Sequence, residues 1–244
     1  MSALAAPTLD IVDAYWAADL GCVRADLRPQ STLVVPHAPA FVGYAGLYIL
    51  IIGAAPIVSL PHDLYPSLRD AAARWSAAEV RSAEFLGDAL GDRVDRIIGL
   101  AFIGYADGAT FRPLAANPAC LLGASAASDV AALRAACVAA EWEHGGREVG
   151  QNPATGVYIS ERLVALAGYE TWGGRIANIS VITHPSYRGE GYAGAAVSAL
   201  TETALAQGLV PQYQTLESNT PSLRVARKLG FVRYATSMAV RLRR

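Results

Sequence analysis

The chain of 244 residues carries a formal net charge of −1, with 53% apolar and 17% charged side chains. That composition belongs to a folded, core-rich protein and excludes a disordered one, and it offers no basic domain for nucleic acid to bind. Cys22, Cys120 and Cys137 are too few and too scattered for a disulfide framework or a metal knuckle, so reduced, buried thiols and no metal are expected.

No basic residue precedes Arg24, and no apolar core with a cleavage site stands before it, so the N-terminus does not read as a signal peptide. Thr8 can cap a short helix through Leu9, Ile11, Val12, Tyr15, Trp16 and Leu20, ended by Gly21. Strands are expected at 31–35, 47–52 and 56–60. Residues 48–60 form an apolar run, but it is shorter than the ~20 residues that span a bilayer and Pro56 interrupts it, so it reads as buried strand in a cytoplasmic protein with no membrane partner. Helices over 65–75 and 78–90 and a strand over 96–105 complete an α+β module of residues 1–113 that lacks a phosphate turn of its own. A degenerate half of the fold that follows, a dimerisation element and a lid are all open roles for this module. His62, Tyr105 and Phe111 read as core before they read as pocket.

The second unit, 114–244, begins with a short strand at 120–123. Ser128 or Asp129 then caps a helix through Val130, Leu133, Cys137 and Val138, ending in Glu141, Trp142, Glu143, His144 and Gly145, a charged end with Gly145 as C-cap. Residues 157–160 and 163–171 form a hairpin across Glu161 and Arg162, and Gly173 and Gly174 turn the chain into a strand at 176–183, where β-branched and small polar residues alternate. His184 and Pro185 end that strand. After Arg188, Gly189, Glu190, Gly191, Tyr192 and Ala193 a helix runs to Gly208. A further strand ends at Glu217, Asn219 can cap a helix through 223–229, and Gly230 and Phe231 enter the last strand.

Glycines at alternate positions just before a helix let successive backbone N–H groups point into one concavity at the positive end of the helix dipole. That is an anion site, and a pyrophosphate is the expected ligand. Arg188 adds a fixed charge with forked donors. Gly189, Gly191 and Gly194 also satisfy GxGxxG, with Glu217 about where a dinucleotide fold places its ribose carboxylate. In such a fold, however, the first glycine follows the strand almost directly and opens a long βαβ series, whereas 184–188 intervene here and the chain ends soon after.

The order RGEGYA after THPSY resembles the acyl-coenzyme A loop of the GNAT superfamily, the coenzyme A-dependent N-acyltransferases, with Arg188, Gly191 and Ala193 filling its places. Glu217 to Ser222, the short helix and Gly230-Phe231 resemble that family's second signature, and the resemblance covers about 114–244. It implies an α+β fold with a mixed, mostly antiparallel sheet, a splayed central pair of strands and flanking helices, preceded by the smaller N-terminal α+β domain. It also implies acetyl-CoA as co-substrate, with the pantetheine arm on the backbone of Val181, Ile182 and Thr183, the pyrophosphate on the amides of Arg188, Gly189, Glu190, Gly191, Tyr192 and Ala193, and Asn219 and Ser222 beside the coenzyme. The loop after the family's first helix usually lines the acceptor pocket, so Glu141, Glu143 and His144 become candidates to hold a cationic amine. The reaction implied is transfer of acetyl to a primary amine, with a small-molecule acceptor ahead of a protein one and a homodimer as an open assembly. The family's usual Tyr acid falls on Ala226, and the strand at 176–183 carries Asn178 and Ser180 where some members have Glu. Glu217, directly or through water, is therefore the candidate base, with another pocket residue in that role and a structural Glu217 that satisfies loop amides both left open; Tyr192 and Tyr234 are spare acids, and a non-catalytic coenzyme A sensor or scaffold is the alternative.

Overall fold

The computed structural model describes residues 3–150 and 152–243. The described residues form seven α-helices and ten strands, an α+β chain in which most paired strands run antiparallel. Two compact units divide it, and the chain passes between them more than once. One comprises the N-terminal end through Thr8, Gly104–Gln214 and Pro221–Val232. The other comprises Leu9–Ile103, Thr215–Thr220 and the segment from Arg233 onward. The expected division at residue 113 is a different partition, because the last strand returns to pair with the N-terminal strands.

In the second of these units, helix α1 (Ala6–Leu20, its first residues in the other unit) is followed by β1 (Leu33–Pro36), β2 (Gly46–Ile51) and β3 (Ile57–Leu60). Helices α2 (Tyr65–Ala72) and α3 (Ala83–Leu90) then lead to β4 (Val94–Tyr105). The expected helix over 78–90 is shorter than its pattern: Glu79–Arg81 form a 3-10 turn, and the Ser82 hydroxyl, accepting from the Phe85 amide at 3.2 Å, starts α3 afresh. The strands lie in the order β1, β3, β2, β10, β4, where β10 is Val232–Leu242. Leu47, Ile49, Val58, Leu60, Leu86 and Val240 close the core. Each such aliphatic side chain contributes about 1.5–3 kcal/mol when fully withdrawn from water.

The other unit orders its strands β9, β8, β7, β6, β5, from β5 (Cys120–Leu122), β6 (Ala154–Ile159), β7 (Arg162–Trp172), β8 (Ile176–Thr183) and β9 (Val210–Leu216). The hairpin between β6 and β7 turns on Ser160 and Glu161, both with positive φ. The long helix expected from 128 breaks into α4 (Ala127–Ala136) and α5 (Ala139–Gly145), because Cys137 and Val138 adopt extended backbone between them. Val130, Leu133, Trp142, Leu166 and Ile182 pack together against the sheet. Helix α6 (Tyr192–Ala206) follows β8, and α7 (Thr220–Lys228) follows β9. Gly230 enters the last strand with φ +84°, and a Cβ there would stand 1.9 Å from the Thr110 carbonyl oxygen, so both its conformation and its surroundings demand glycine. The expectation of buried thiols is corrected: Cys120 is exposed, since β5 is the last strand of its sheet, and Cys22 and Cys137 are only half-buried.

Candidate functional site

Strand β8 has two unequal neighbours. β7 pairs with all eight of its residues, from Ala165↔Thr183 to Trp172↔Ile176. The parallel pairing with β9 runs only from Ile176↔Val210 to Ile179↔Tyr213. Residues 180–183 therefore present a strand edge within the sheet. The His184 amide donates to the Val164 carbonyl at 2.8 Å, and the Val210 amide to the Arg175 carbonyl at 2.8 Å. In that alternation, even-numbered residues turn their backbone groups to β7, while Val181 and Thr183 turn theirs into the gap. Ile182 is the buried member of the three, its side chain in the core and its amide spent on β7. The split expected from the sequence is present. It offers the backbone of Val181 and Thr183, and it excludes that of Ile182.

The loop at the open end of this edge begins with a single 3-10 turn, Pro185–Tyr187, in which His184 Nδ1 accepts from the Ser186 amide at 3.2 Å. Gly189 and Gly191 then take φ of +89° and +86°. A Cβ at either would meet nothing within 4 Å, so glycine is needed there for its conformation and not for lack of room. α6 starts at Tyr192 with no side-chain cap and no acid in its first turn. The amides of Gly189, Glu190 and Gly191 donate to no backbone carbonyl among the described residues, and all three residues are exposed. Unspent N–H groups at the positive end of a 15-residue helix form a cradle for an anion.

Two contacts tie α5 to this edge. Arg188 Nη2 donates to Glu141 Oε2 at 2.8 Å, and Arg188 Nε donates to the Thr183 carbonyl at 3.4 Å. The guanidinium holds the Glu141 carboxyl below the usual range. A turn further along, Gly145 lies so close to the strand that a Cβ would stand 2.5 Å from the Val181 carbonyl oxygen. The three residues expected to hold a cationic amine are thus separated in role. Glu141 serves the loop arginine, and His144 is turned back on the Ala140 carbonyl at 2.7 Å, while Glu143 stays exposed. The coupling between positions 141 and 188 left no mark in the sequence.

At the apex of the split, Tyr213 is the last β9 residue paired with β8. Its hydroxyl lies 2.8 Å from Ser222 Oγ, its ring 5.3 Å from that of Phe231, and burial pushes the phenol up. Ser222 and Ala226 share a face of α7 at i, i+4, and Ala226 is fully buried. The phenol missing from the helix at Ala226 is thus matched by one on the facing strand. Sequence reading passed over Tyr213 because it is one residue of a mixed polar and apolar strand with no motif around it. Beside it, Gln212 pairs in register with Asn178 and donates to the Tyr105 hydroxyl at 2.5 Å.

Glu217 and Asn219 belong to the other compact unit, with Thr215–Thr220. There Glu217 Oε1 accepts from Arg233 Nη1 at 2.6 Å, and the same nitrogen donates to the Thr236 hydroxyl at 2.8 Å. The Arg233 guanidinium stands 4.9 Å from the centre of the Phe102 ring. The expected base is an ion-paired carboxylate. The Asn219 amide donates to the Leu216 carbonyl at 3.0 Å, closing the turn before α7. Of the spare acids, Tyr234 donates to Asp13 Oδ1 at 2.7 Å beside Arg28, and Tyr192 sits half-buried at the start of α6. No group of three His, Cys, Asp or Glu that could hold a metal occurs among the described residues, and no helix among them is long and apolar enough to cross a membrane.

The family model for GNAT acetyltransferase matches residues 148–237, the stretch from before β6 into β10. Among solved structures, an acetyltransferase of the GNAT family from Colwellia psychrerythraea is similar over 100% of this chain and 99% of its own, at 13% identity and a TM-score of 0.53. A GCN5-related N-acetyltransferase from Kribbella flavida is similar over 99% of this chain and 100% of its own, at 15% identity and a TM-score of 0.52. These two establish likeness of fold along the whole chain. A GNAT-family protein from Novosphingobium aromaticivorans shares 28% identity over 61% of this chain, which spans 66% of that protein's length, at a TM-score of 0.49. No curated protein matches the sequence.

Proposed function

We propose, from the premise that over residues 148–237 the chain belongs to the GNAT acetyltransferase family, that it moves the acetyl group of acetyl-CoA to a primary amine by direct attack in a ternary complex. The observation that carries this reading is the pairing of β8 with β9 stopping at Ile179↔Tyr213, beside a loop of unspent amides. An extended pantetheine arm adds to the edge of residues 180–183 through the backbone of Val181 and Thr183, while its diphosphate takes the amides from Gly189 to Ala193. Arg188 turns from Glu141 to the phosphate as the anion arrives. The Val181 or Thr183 amide then faces the thioester and stabilises the oxyanion.

In the chemical step the neutral amine nitrogen bonds to the carbonyl carbon, the C–S bond breaks, and the sulfur takes a proton while the new ammonium loses one to water. The Tyr213 hydroxyl, acting through Ser222, is the assigned proton source for the thiolate. Glu217 is assigned a holding role, since its carboxylate is already engaged by Arg233. Ser222, in the first turn of α7, lies beside the coenzyme. A small-molecule acceptor and a cytoplasmic setting belong to the same proposal. A coenzyme A sensor is the second reading, favoured by the buried alanine at 226 and the ion-paired Glu217.

The test has two arms. Calorimetry of acetyl-CoA with the intact chain and with Gly191→Glu asks whether the loop binds coenzyme, with circular dichroism as the control for folding. Strong binding lost in the variant is expected, and equal affinity refutes the assignment of the loop. Thiol release over a panel of primary amines then separates enzyme from sensor, because binding without turnover on any amine leaves the sensor standing. Tyr213→Phe is expected to lower kcat at least tenfold and leave the coenzyme KM unchanged.

A further inference from the structure

A solvent-open cavity of about 510 Å³ lies between α4, the turn joining β6 to β7, and the end of β8. Sites for small organic ligands span roughly 300–1,000 Å³. The floor is apolar, since Leu133 and Leu163 are buried members of the core beneath it. Asp129 and His184 are half-buried in its walls, and Glu161 and Arg162 stand exposed at its rim. All of these residues lie in one compact unit, and none belongs to the open edge of 180–183 or to the loop amides beyond it.

The polar groups of the lining come as acceptor and donor at both levels. In the walls, Asp129 Oδ2 accepts from the Tyr158 hydroxyl at 2.8 Å, which fixes the carboxylate and leaves its other oxygen unspent among the described residues. His184 Nδ1 accepts from the Ser186 amide at 3.2 Å. An amide only donates, so Nδ1 carries the lone pair and the ring hydrogen sits on Nε2, which has no partner among the described residues. At the rim, Glu161 and Arg162 form no ion pair among the described residues. Ser160 and Glu161 hold φ of +46° and +65° in a two-residue hairpin turn, where Asn-Gly is the favoured pair. Their side chains therefore border the cavity in a conformation that glycine would relieve. A metal ion does not fit, because no group of three His, Cys, Asp or Glu that could hold one occurs among the described residues. A lone anion would face two carboxylates and a lone cation would face Arg162, whereas a ligand carrying both charges meets a complement for each.

We propose that this cavity binds an apolar α-amino acid, with the ammonium on Asp129 and Glu161, the carboxylate on His184 Nε2–H and Arg162, and the side chain over Leu133 and Leu163. The site stands or falls independently of the acetyl-transfer reading. The test is calorimetry on the full chain without coenzyme, at neutral pH and low ionic strength, with L-leucine as the probe. Isoamylammonium lacks only its carboxylate, and isocaproate lacks only its ammonium. Leucine is expected to bind at least about fivefold more tightly than either. Asp129→Asn is expected to lose about tenfold toward leucine and isoamylammonium alike. Arg162→Gln is expected to lose about threefold toward leucine and isocaproate and nothing toward isoamylammonium. Glu161→Gly, which relieves the turn, is expected to lose about threefold in leucine affinity with a thermal midpoint no lower than that of the parent chain. Absence of leucine binding, either analogue binding as tightly as leucine, or full leucine affinity in any of the three variants, each shown by circular dichroism to be folded, overturns the proposal.

Discussion

Replacing Glu141 with Gln is expected to tighten acetyl-CoA binding, although the residue reaches no ligand in the proposed complex. In the structure its carboxylate holds the Arg188 guanidinium at 2.8 Å, so a phosphate has to displace that carboxylate before it gains the arginine. Both side chains are well exposed, at 47% and 40%, and an exposed pair is worth about 0.2–1 kcal/mol. Freed of that competition, the affinity should rise about 1.4- to 5-fold, since about 1.4 kcal/mol corresponds to a factor of ten. Added salt should shrink the gain, because surface ion pairs are screened over about 10 Å at 0.1 M. The assay is calorimetric titration of acetyl-CoA at low and high ionic strength, with Glu143→Gln as a variant of equal charge change whose residue is exposed and lies two positions away. Equal gains in both variants would trace the effect to net charge and refute the competition. A loss of affinity in Glu141→Gln would show that Glu141 positions Arg188 for the phosphate, which also refutes it.

Gly145→Ala should lower both the thermal midpoint and the coenzyme affinity, because its Cβ would press to 2.5 Å on the Val181 carbonyl oxygen at the open edge; unchanged values for both would mean that α5 yields freely. Gly230→Ala should cost about 2–4 kcal/mol in urea unfolding, from backbone strain at φ +84° and collision with the Thr110 carbonyl. Asp19→Asn should stabilise the chain at neutral and higher pH. The Asp19 carboxyl is raised in the folded state from 3.8 to about 6, so the native state holds the extra proton between those values and stability falls as pH rises through them. At about 1.36 kcal/mol per unit the ceiling is about 3 kcal/mol, and partial exposure discounts it to about 1 kcal/mol. Urea midpoints near pH 8 and pH 4 check the sign, for the gain should vanish at the acid end.

The parts of the fold that were legible in the sequence are those with local causes. Alternation over 176–183 marked β8, and Gly189 and Gly191 marked the cradle, because only glycine takes their positive φ without strain. The break between α4 and α5 was not legible, since Cys137 and Val138 are neither glycine nor proline and their extended backbone answers to packing. Contacts between distant positions were invisible for the same reason. Glu141 looked like a solvated helix end until the fold set it beside Arg188, and Glu217 looked like a free base until β10 delivered Arg233 to it. Tyr213 became visible as the proposed proton source only when register put it at the apex, one hydrogen bond from α7.

The unpaired stretch of β8 carries a lesson about how donor and acceptor can be recognised separately. Val181 and Thr183 are two positions apart on one strand, so their outward peptide groups repeat at about 6–7 Å. A ligand gripped there is measured by the spacing of its own amides, as if against a ruler, and the ruler is main chain. Under the proposed reaction, side chains along that segment, and along the helix facing it, are then at liberty to diverge toward new amines without disturbing the hold on the thioester.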